Sequence, residues 1–418
     1  MIDRKKQPSI SKIDKIDFLE PKHFTIKDEV KLHLIDSVDD ESVKIDFIFN
    51  AGTKNDEVHI ASFVSAMLLS GTHEKTTSDI NEQIDGLGGF FQAEASRENA
   101  YVAVYGLKKN IHAILDIVID AITYVSFPQE EIDQLIAKNQ QNFKVSSEKV
   151  SFLARRAFGK SLFEGTQYEA HAEYEDFETV TRDQLVTFHD KFYLNGLEKV
   201  CVTANLAEED VKNIIDKVSN WSNKHPREYV ELLTNTPKTV HIEKEGAIQT
   251  AIRIGRILFT RKKEDFLVFS VLNLVLGGYF GSRLMSNIRE DKGYTYGIGS
   301  GVMEMQSTGY FFISTEVGKA VAEDAIIEIK KEIETLQNVL ISEEELTLVK
   351  NYAIGQLLQS SDGPNAMMDR FLSIDKYGLG YDYYDRVMQT FNESTPEKIR
   401  EMAKKYLNWN DFLIITAG

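Results

Sequence analysis

Thr181-Arg182-Asp183-Gln184-Leu185, followed by Lys191-Phe192-Tyr193 and Val202-Thr203-Ala204, returns later in the chain as Thr395-Pro396-Glu397-Lys398-Ile399, Lys405-Tyr406-Leu407 and Ile415-Thr416-Ala417. Further back, Glu130-Glu131-Ile132 has its echo in Glu344-Glu345-Leu346, and Leu69-Ser70-Gly71 in Leu276-Gly277-Gly278. Self-similarity that keeps its order over so long a stretch is the mark of a duplicated chain. Each half is predicted to run strand, long helix, shorter helix, β-hairpin, further helices and a closing strand.

The individual elements follow from hydrophobic periodicity. Val43 to Phe49 alternates as a half-buried strand does, whereas Ile60, Phe63, Val64, Met67 and Leu68 recur at helical spacing. Phe90 to Ser96 and Ala100 to Leu107 flank Arg97-Glu98-Asn99 as a hairpin, and Ile111, Leu115, Val118, Ile119 and Ile122 mark the next helix. In the second half Ala251 to Ile257 reads as the strand and Phe266 to Leu276 as the long helix. Ser282 can then cap a helix that ends at Lys292-Gly293, and Tyr294 to Val302 with Gly309 to Thr315 form the matching hairpin. Helices and hairpins mixed in this way predict an α+β fold: two homologous α/β-sandwich domains, each with helices packed on a mostly antiparallel sheet. The domains are placed at 1–218 and 239–418. The polar stretch 219–238, with Pro226 and Pro237, is the linker.

Composition narrows the function. The chain has 418 residues, 42% of them hydrophobic and 27% charged, with only 7 prolines, which suits folded domains with their own cores. A formal charge of −17 repels phosphate backbones and anionic lipid, so neither nucleic acid nor a membrane is an expected partner. The single cysteine, Cys201, sits in the apolar run Val200-Cys201-Val202 and reads as a buried strand residue. The opening Met1-Ile2-Asp3-Arg4-Lys5-Lys6-Gln7-Pro8 is followed by no apolar stretch, so no secretory signal is expected and the predicted location is cytoplasmic.

Several segments resemble the pitrilysin/insulinase superfamily of inverted-zincin peptidases, in its short, mitochondrial-processing-peptidase-like branch. They are Met67-Leu68-Leu69-Ser70-Gly71-Thr72, Leu87-Gly88-Gly89, Ser96-Arg97-Glu98-Asn99 and Phe127-Pro128 in the first half. In the second they are Leu276-Gly277-Gly278-Tyr279-Phe280-Gly281-Ser282-Arg283-Leu284 and Ile288-Arg289-Glu290-Asp291-Lys292-Gly293-Tyr294-Thr295-Tyr296. The resemblance implies one half of a metallopeptidase clamshell. Active members bind zinc through H-x-x-E-H on the first long helix, where the two histidines share a face and the glutamate is the base. Here that segment reads Ser62-Phe63-Val64-Ser65-Ala66, so both histidine positions (Ser62, Ala66) and the base position (Ser65) lack the required groups. The distal glutamate ligand falls near Gln141 or Asn142, and neither is charged. None of the nine histidines stands in another zinc pattern, so no metal is expected in this chain.

What the resemblance leaves in place is the pair Arg289 and Tyr296, matching the arginine and tyrosine of the family's non-zinc half. A helix ended by Gly293 would let Arg289 project from its last turn and Tyr296 from the following strand, both into one cleft. A guanidinium and a phenol are donors suited to an oxyanion formed in peptide hydrolysis. Taken without the motif, the same residues read as a solvated helix end and a packed strand residue. Tyr294 is a rival for the role of Tyr296, and Arg283 reads as structural. Gly297, Gly299 and Gly301 leave one strand face bare, either for a substrate strand, with Gly297 and Gly299 nearest, or for tight helix packing. The implied function is a zinc-free subunit that closes a chamber around a peptide for a homologous zinc-bearing partner, with a homodimer conceivable when it is expressed alone. The alternative is a catalytically inactive, peptidase-like scaffold or peptide-binding protein.

Overall fold

The computed structural model describes residues 13–418 apart from 14, 28, 38–39, 56–57, 170 and 225–235. Most of the opening segment and the middle of the stretch read as a linker therefore lie outside the described residues. The first half contains β1 (Lys22–Lys27), β2 (Val30–Ile35), β3 (Ser42–Phe49), α1 (Val58–Met67), α2 (Thr77–Gly86), β4 (Phe90–Ala95) and β5 (Ala100–Leu107). It continues through α3 (Ile111–Thr123), α4 (Gln129–Ser147), α5 (Val150–Leu162), α6 (Arg182–His189), β6 (Leu197–Thr203) and α7 (Glu208–Val218). The second half contains β7 (Thr239–Ile242), β8 (Gln249–Leu258), α8 (Asp265–Asn273), β9 (Ile298–Glu304), β10 (Gly309–Gly318) and α9 (Ala322–Asn338). After these come α10 (Glu343–Gln359), α11 (Pro364–Asp375), α12 (Asp382–Glu393), α13 (Pro396–Tyr406) and β11 (Leu413–Ala417).

The two sheets share one topology. Their strand orders are β1-β2-β6-β3-β5-β4 and β7-β11-β8-β10-β9, so the second repeats the first without β1. In each, the first strand of the repeat pairs parallel with the closing strand (β2 with β6, β7 with β11), and every other pairing is antiparallel. The repeated Thr residues mark helix starts: Thr181 accepts from the Gln184 amide in a capping box at α6, and Thr395 accepts from the Lys398 amide at α13, with Pro396 in the first turn. The repeated glutamates open α4 and α10, where carboxylates favour the positive end of the helix dipole.

One face of each sheet carries its own helices. Val43, Ile45, Phe47 and Phe49 of β3 bury against α1 and α3, and Phe311, Ile313 and Val317 of β10 bury in the second core with α8 and α9. The other faces are covered by an exchange between halves. Helix α5 packs on β8 and β11, burying Val150, Ala154 and Phe158 against Ala251, Leu413 and Ile415. Helix α11 lies against β6, where Met368 and Phe371 meet Ile35, Ile48 and Cys201. Gly255 makes room for the first of these, since a Cβ there would come 2.8 Å from the Phe158 ring and 2.2 Å from the Phe311 carbonyl. The hairpins also meet: Glu98, beyond β4, accepts from the Gln306 backbone amide at 2.8 Å and from the Tyr168 hydroxyl at 2.9 Å. Trp221, within the stretch read as a linker, is buried with its ring 5.6 Å from Phe47 and from Phe49.

Two sequence readings need correction. The second hairpin starts only at Ile298, because Gly293 turns with φ 65° and the chain then loops before joining the sheet. The helix before it is a π-helical segment, Met285–Asp291, and Ser282 does not cap it with its side chain. The Ser282 carbonyl accepts from the Ser286 amide, while its buried hydroxyl has no hydrogen-bond partner among the described residues. No helix among the described residues is long and apolar enough to cross a membrane.

Candidate functional site

The π-helical turn fixes Ile288 in the second core and leaves Arg289 at the surface. Wide turns of this kind are frequent where a helix serves a site. Lys292 closes the turn by donating to the Asn287 carbonyl at 2.9 Å, and the Tyr294 amide reaches back to the Ile288 carbonyl at 3.0 Å. The chain thereby doubles back, and the Arg289 Nε donates to the Tyr296 carbonyl oxygen at 3.1 Å. The guanidinium lies 4.8 Å over the exposed Phe280 ring and 3.8 Å from the Glu290 carboxylate. Thr295 anchors the loop through its hydroxyl, which donates to the Glu316 carbonyl at 2.7 Å and accepts from the Gly297 amide at 3.0 Å. Thr315 adds a hydrogen bond to the Gly297 carbonyl at 2.9 Å. With its backbone held on both sides, the Tyr296 side chain stands 96% exposed.

Tyr296 and Gly297 sit at the rim of a cleft of about 670 Å³. Its floor is the face of β8 and β10 that carries Arg253, Ser314 and Glu316, and its far wall is α5 with Phe152 and Arg155. The sequence pair is thus brought together, although through the Tyr296 backbone: Arg289 stands behind the loop and is not among the residues that wall the cleft. Tyr294, the rival, is half-buried against the second core. Arg283 makes two 2.8 Å bonds to Glu345, which raise its pKa above the ordinary value and fix it as a structural link between the 276–284 segment and α10. Among the described residues β9 is an edge strand, paired with β10 alone. Along it Gly301 is needed for packing, since a Cβ would meet the Phe312 ring at 3.1 Å. Gly297, just before the strand, faces open space, and Gly299 has only the Gly277 carbonyl near it, at 3.4 Å.

The positions corresponding to zinc ligands lie in the first half, and none of them walls the cleft at Tyr296. Ser62 and Ala66 are exposed on α1, whereas Ser65 is buried. Asn142 is exposed on α4, and the residue that turns inward is its neighbour Phe143, whose ring is 6.0 Å from Phe177, itself 6.4 Å from Phe63 of α1. A second cleft, of about 490 Å³, runs between α1 and α4 past Ala66, Leu69 and Glu131, and Glu131 accepts from the Thr77 hydroxyl at 2.8 Å. Hydroxyl, methyl, carboxamide and phenyl groups do not make a zinc site. Among the described residues no three or more His, Cys, Asp or Glu side chains gather in a way that could hold a metal.

Two family models cover most of the chain. Residues 32–181 match Insulinase (Peptidase family M16), and residues 179–352 match the Peptidase M16 inactive domain. The chain belongs to the insulinase family. Among its curated relatives, the uncharacterized zinc protease YmxG of Bacillus subtilis is 22% identical over 398 residues, covering 92% of this chain and 95% of that one. An uncharacterized zinc protease of Rickettsia felis is 24% identical over 338 residues, covering 77% and 79%. A peptidase M16 inactive domain from Pseudomonas fluorescens superposes with a TM-score of 0.87 at 24% identity, over 95% of this chain and 98% of that one. A protease from Helicobacter pylori does so with a TM-score of 0.83 at 15% identity, over 96% and 99%. These likenesses show the insulinase-family fold. Within it, the cluster of arginines on α5 and β8 that faces Tyr296 answers to none of the sequence motifs, because its members are scattered and meet only through the exchange of α5.

Proposed function

We propose that this chain is the zinc-free subunit of a two-subunit insulinase-family peptidase: it closes the chamber around a peptide and presents Tyr296, steadied by Arg289, to the carbonyl being cleaved. The observation that carries the reading is the loop in which Arg289 grips the Tyr296 backbone while the phenol stands free at the mouth of a 670 Å³ cleft. At 96% exposure the phenol is not packed into either core among the described residues. A donor aimed at an oxyanion contributes most where water is excluded, so a second subunit must cover Tyr296 for it to act. The partner, a homologue with an intact H-x-x-E-H, supplies the metal and the base, and this chain supplies hydrogen-bond donors and walls.

The test is co-purification with such a homologue followed by peptide hydrolysis. Tyr296→Phe removes one hydroxyl and Arg289→Ala removes the support of the loop. Each is expected to lower kcat/KM about a hundredfold, or ~3 kcal/mol of transition-state stabilisation, with little change in complex formation. Unchanged turnover in both variants would exclude the catalytic assignment. It would favour the second reading, an inactive scaffold, to which the position of Arg289 behind the loop lends some support.

A further inference from the structure

The cleft at Tyr296 continues into a further cavity of about 490 Å³, the two sharing Phe152, Arg155 and Arg253. Around this inner cavity stand four arginines and a histidine: Arg97 from the first hairpin, Arg155 and Arg156 from α5, Arg253 from β8, and His171. In a chain with a formal charge of −17 such a gathering runs against the overall balance. Only Arg156 has a carboxylate partner in hydrogen-bond range, Glu173 at 2.8 Å, among the described residues. Arg97 lies 5.0 Å over the Phe163 ring, and Arg253 is sandwiched by Phe158 at 5.4 Å and Phe312 at 4.6 Å. The Nε of Arg253 and the Nε2 of His171 are buried with no hydrogen-bond partner among the described residues. The carboxylate nearest in sequence, Glu98, is taken up by Tyr168 and the Gln306 amide.

Even half-burying cations such as Arg97 and Arg253 without counter-charge carries a cost that an anion completing the site would offset. The environment registers that imbalance. Burial lowers the pKa of both Arg97 and Arg253, and His171 is held at about 4 by burial first and then by the surrounding arginines. Gly159 keeps the space clear, since a Cβ there would approach the His171 ring to 2.7 Å. Aromatic faces hold the guanidinium planes in place and leave their edges free to donate.

We propose that this arginine-walled end of the cleft binds a carboxylate of the peptide, either its C-terminus or an acidic side chain, through Arg97, Arg155 and Arg253. The proposal rests on the reading of the cleft as a peptide chamber and adds a substrate class to it. Arginine suits the task because its planar fork matches a carboxylate with two parallel hydrogen bonds.

Fluorescence anisotropy on the purified full chain tests it with three labelled peptides of one otherwise neutral sequence: a free C-terminal acid, its amide, and the amide with one internal glutamate. The neutral amide is expected to bind at least about tenfold more weakly than one of the acidic peptides, as loss of a charged hydrogen-bond pair implies. A gain confined to the free acid identifies the C-terminus as the anchor, and a gain confined to the glutamate peptide identifies a side chain. Arg155→Ala, at an exposed position, and Arg253→Gln should each reduce the preference. Equal binding of the three peptides, or a preference intact in both variants, overturns this inference alone. A chain that binds none of them overturns the chamber reading as well.

Discussion

His171 shows how a single side chain reports the electrostatics of the cleft. Its pKa in the folded chain is about 4 against an ordinary 6.5, chiefly because it is buried and then because Arg97, Arg156, Lys160 and Arg155 oppose a further positive charge. A histidine depressed in this way is neutral in the folded state, so between these two values the unfolded chain binds the extra proton. Stability from this residue is therefore present above pH 6.5 and lost as pH falls toward 4. His171→Gln is expected to lose less stability than the wild type between pH 7 and pH 4.5, measured as urea midpoints. An identical loss would show that neither burial nor the surrounding cations hold the imidazole below its ordinary pKa. Arg289 and Tyr296 were legible from the sequence as a pair because the motif around them is dense. Their mode of contact was not, since a side-chain bond to a backbone carbonyl depends on where Gly293 turns the chain.

Helix α5 is the element on which the cleft depends, because it belongs to one half and forms a wall on the sheet of the other. Phe158 is its anchor, buried against β8 beside Gly255 and facing Arg253. Phe158→Ala should cost about 3–5 kcal/mol of stability and weaken peptide binding, since the ring also holds the Arg253 guanidinium. A stability loss of less than about 1 kcal/mol in denaturant unfolding would mean that the exchanged helix is not an integral part of the core. Nothing in the α5 sequence announces this exchange, because an amphipathic helix does not state which sheet it will cover. The helix starts at Thr181 and Thr395 were legible because capping is local chemistry. β1 and β7 were not, being short strands at sheet edges with largely exposed residues and little hydrophobic contrast. The π-helical turn at Met285–Asp291 was read as an ordinary helix because its apolar spacing, taken alone, does not separate the two.

At the scale of the whole molecule, duplication was the readable fact, and the structure expresses it as two sheets of the same strand order. The halves differ in chemistry: α1 of the first carries Ser62, Ser65 and Ala66, and the second carries the loop in which Arg289 bonds the Tyr296 carbonyl. The central claim is that catalysis is divided between this polypeptide and a zinc-bearing relative. The measurement that bears on it most directly is the initial rate of peptide hydrolysis as the purified chain is titrated into a fixed amount of that relative. The account predicts a rate near zero for either protein alone and a rise that saturates at one-to-one stoichiometry. Hydrolysis by the isolated chain with zinc bound to it, or a partner already at full rate without it, would contradict the account.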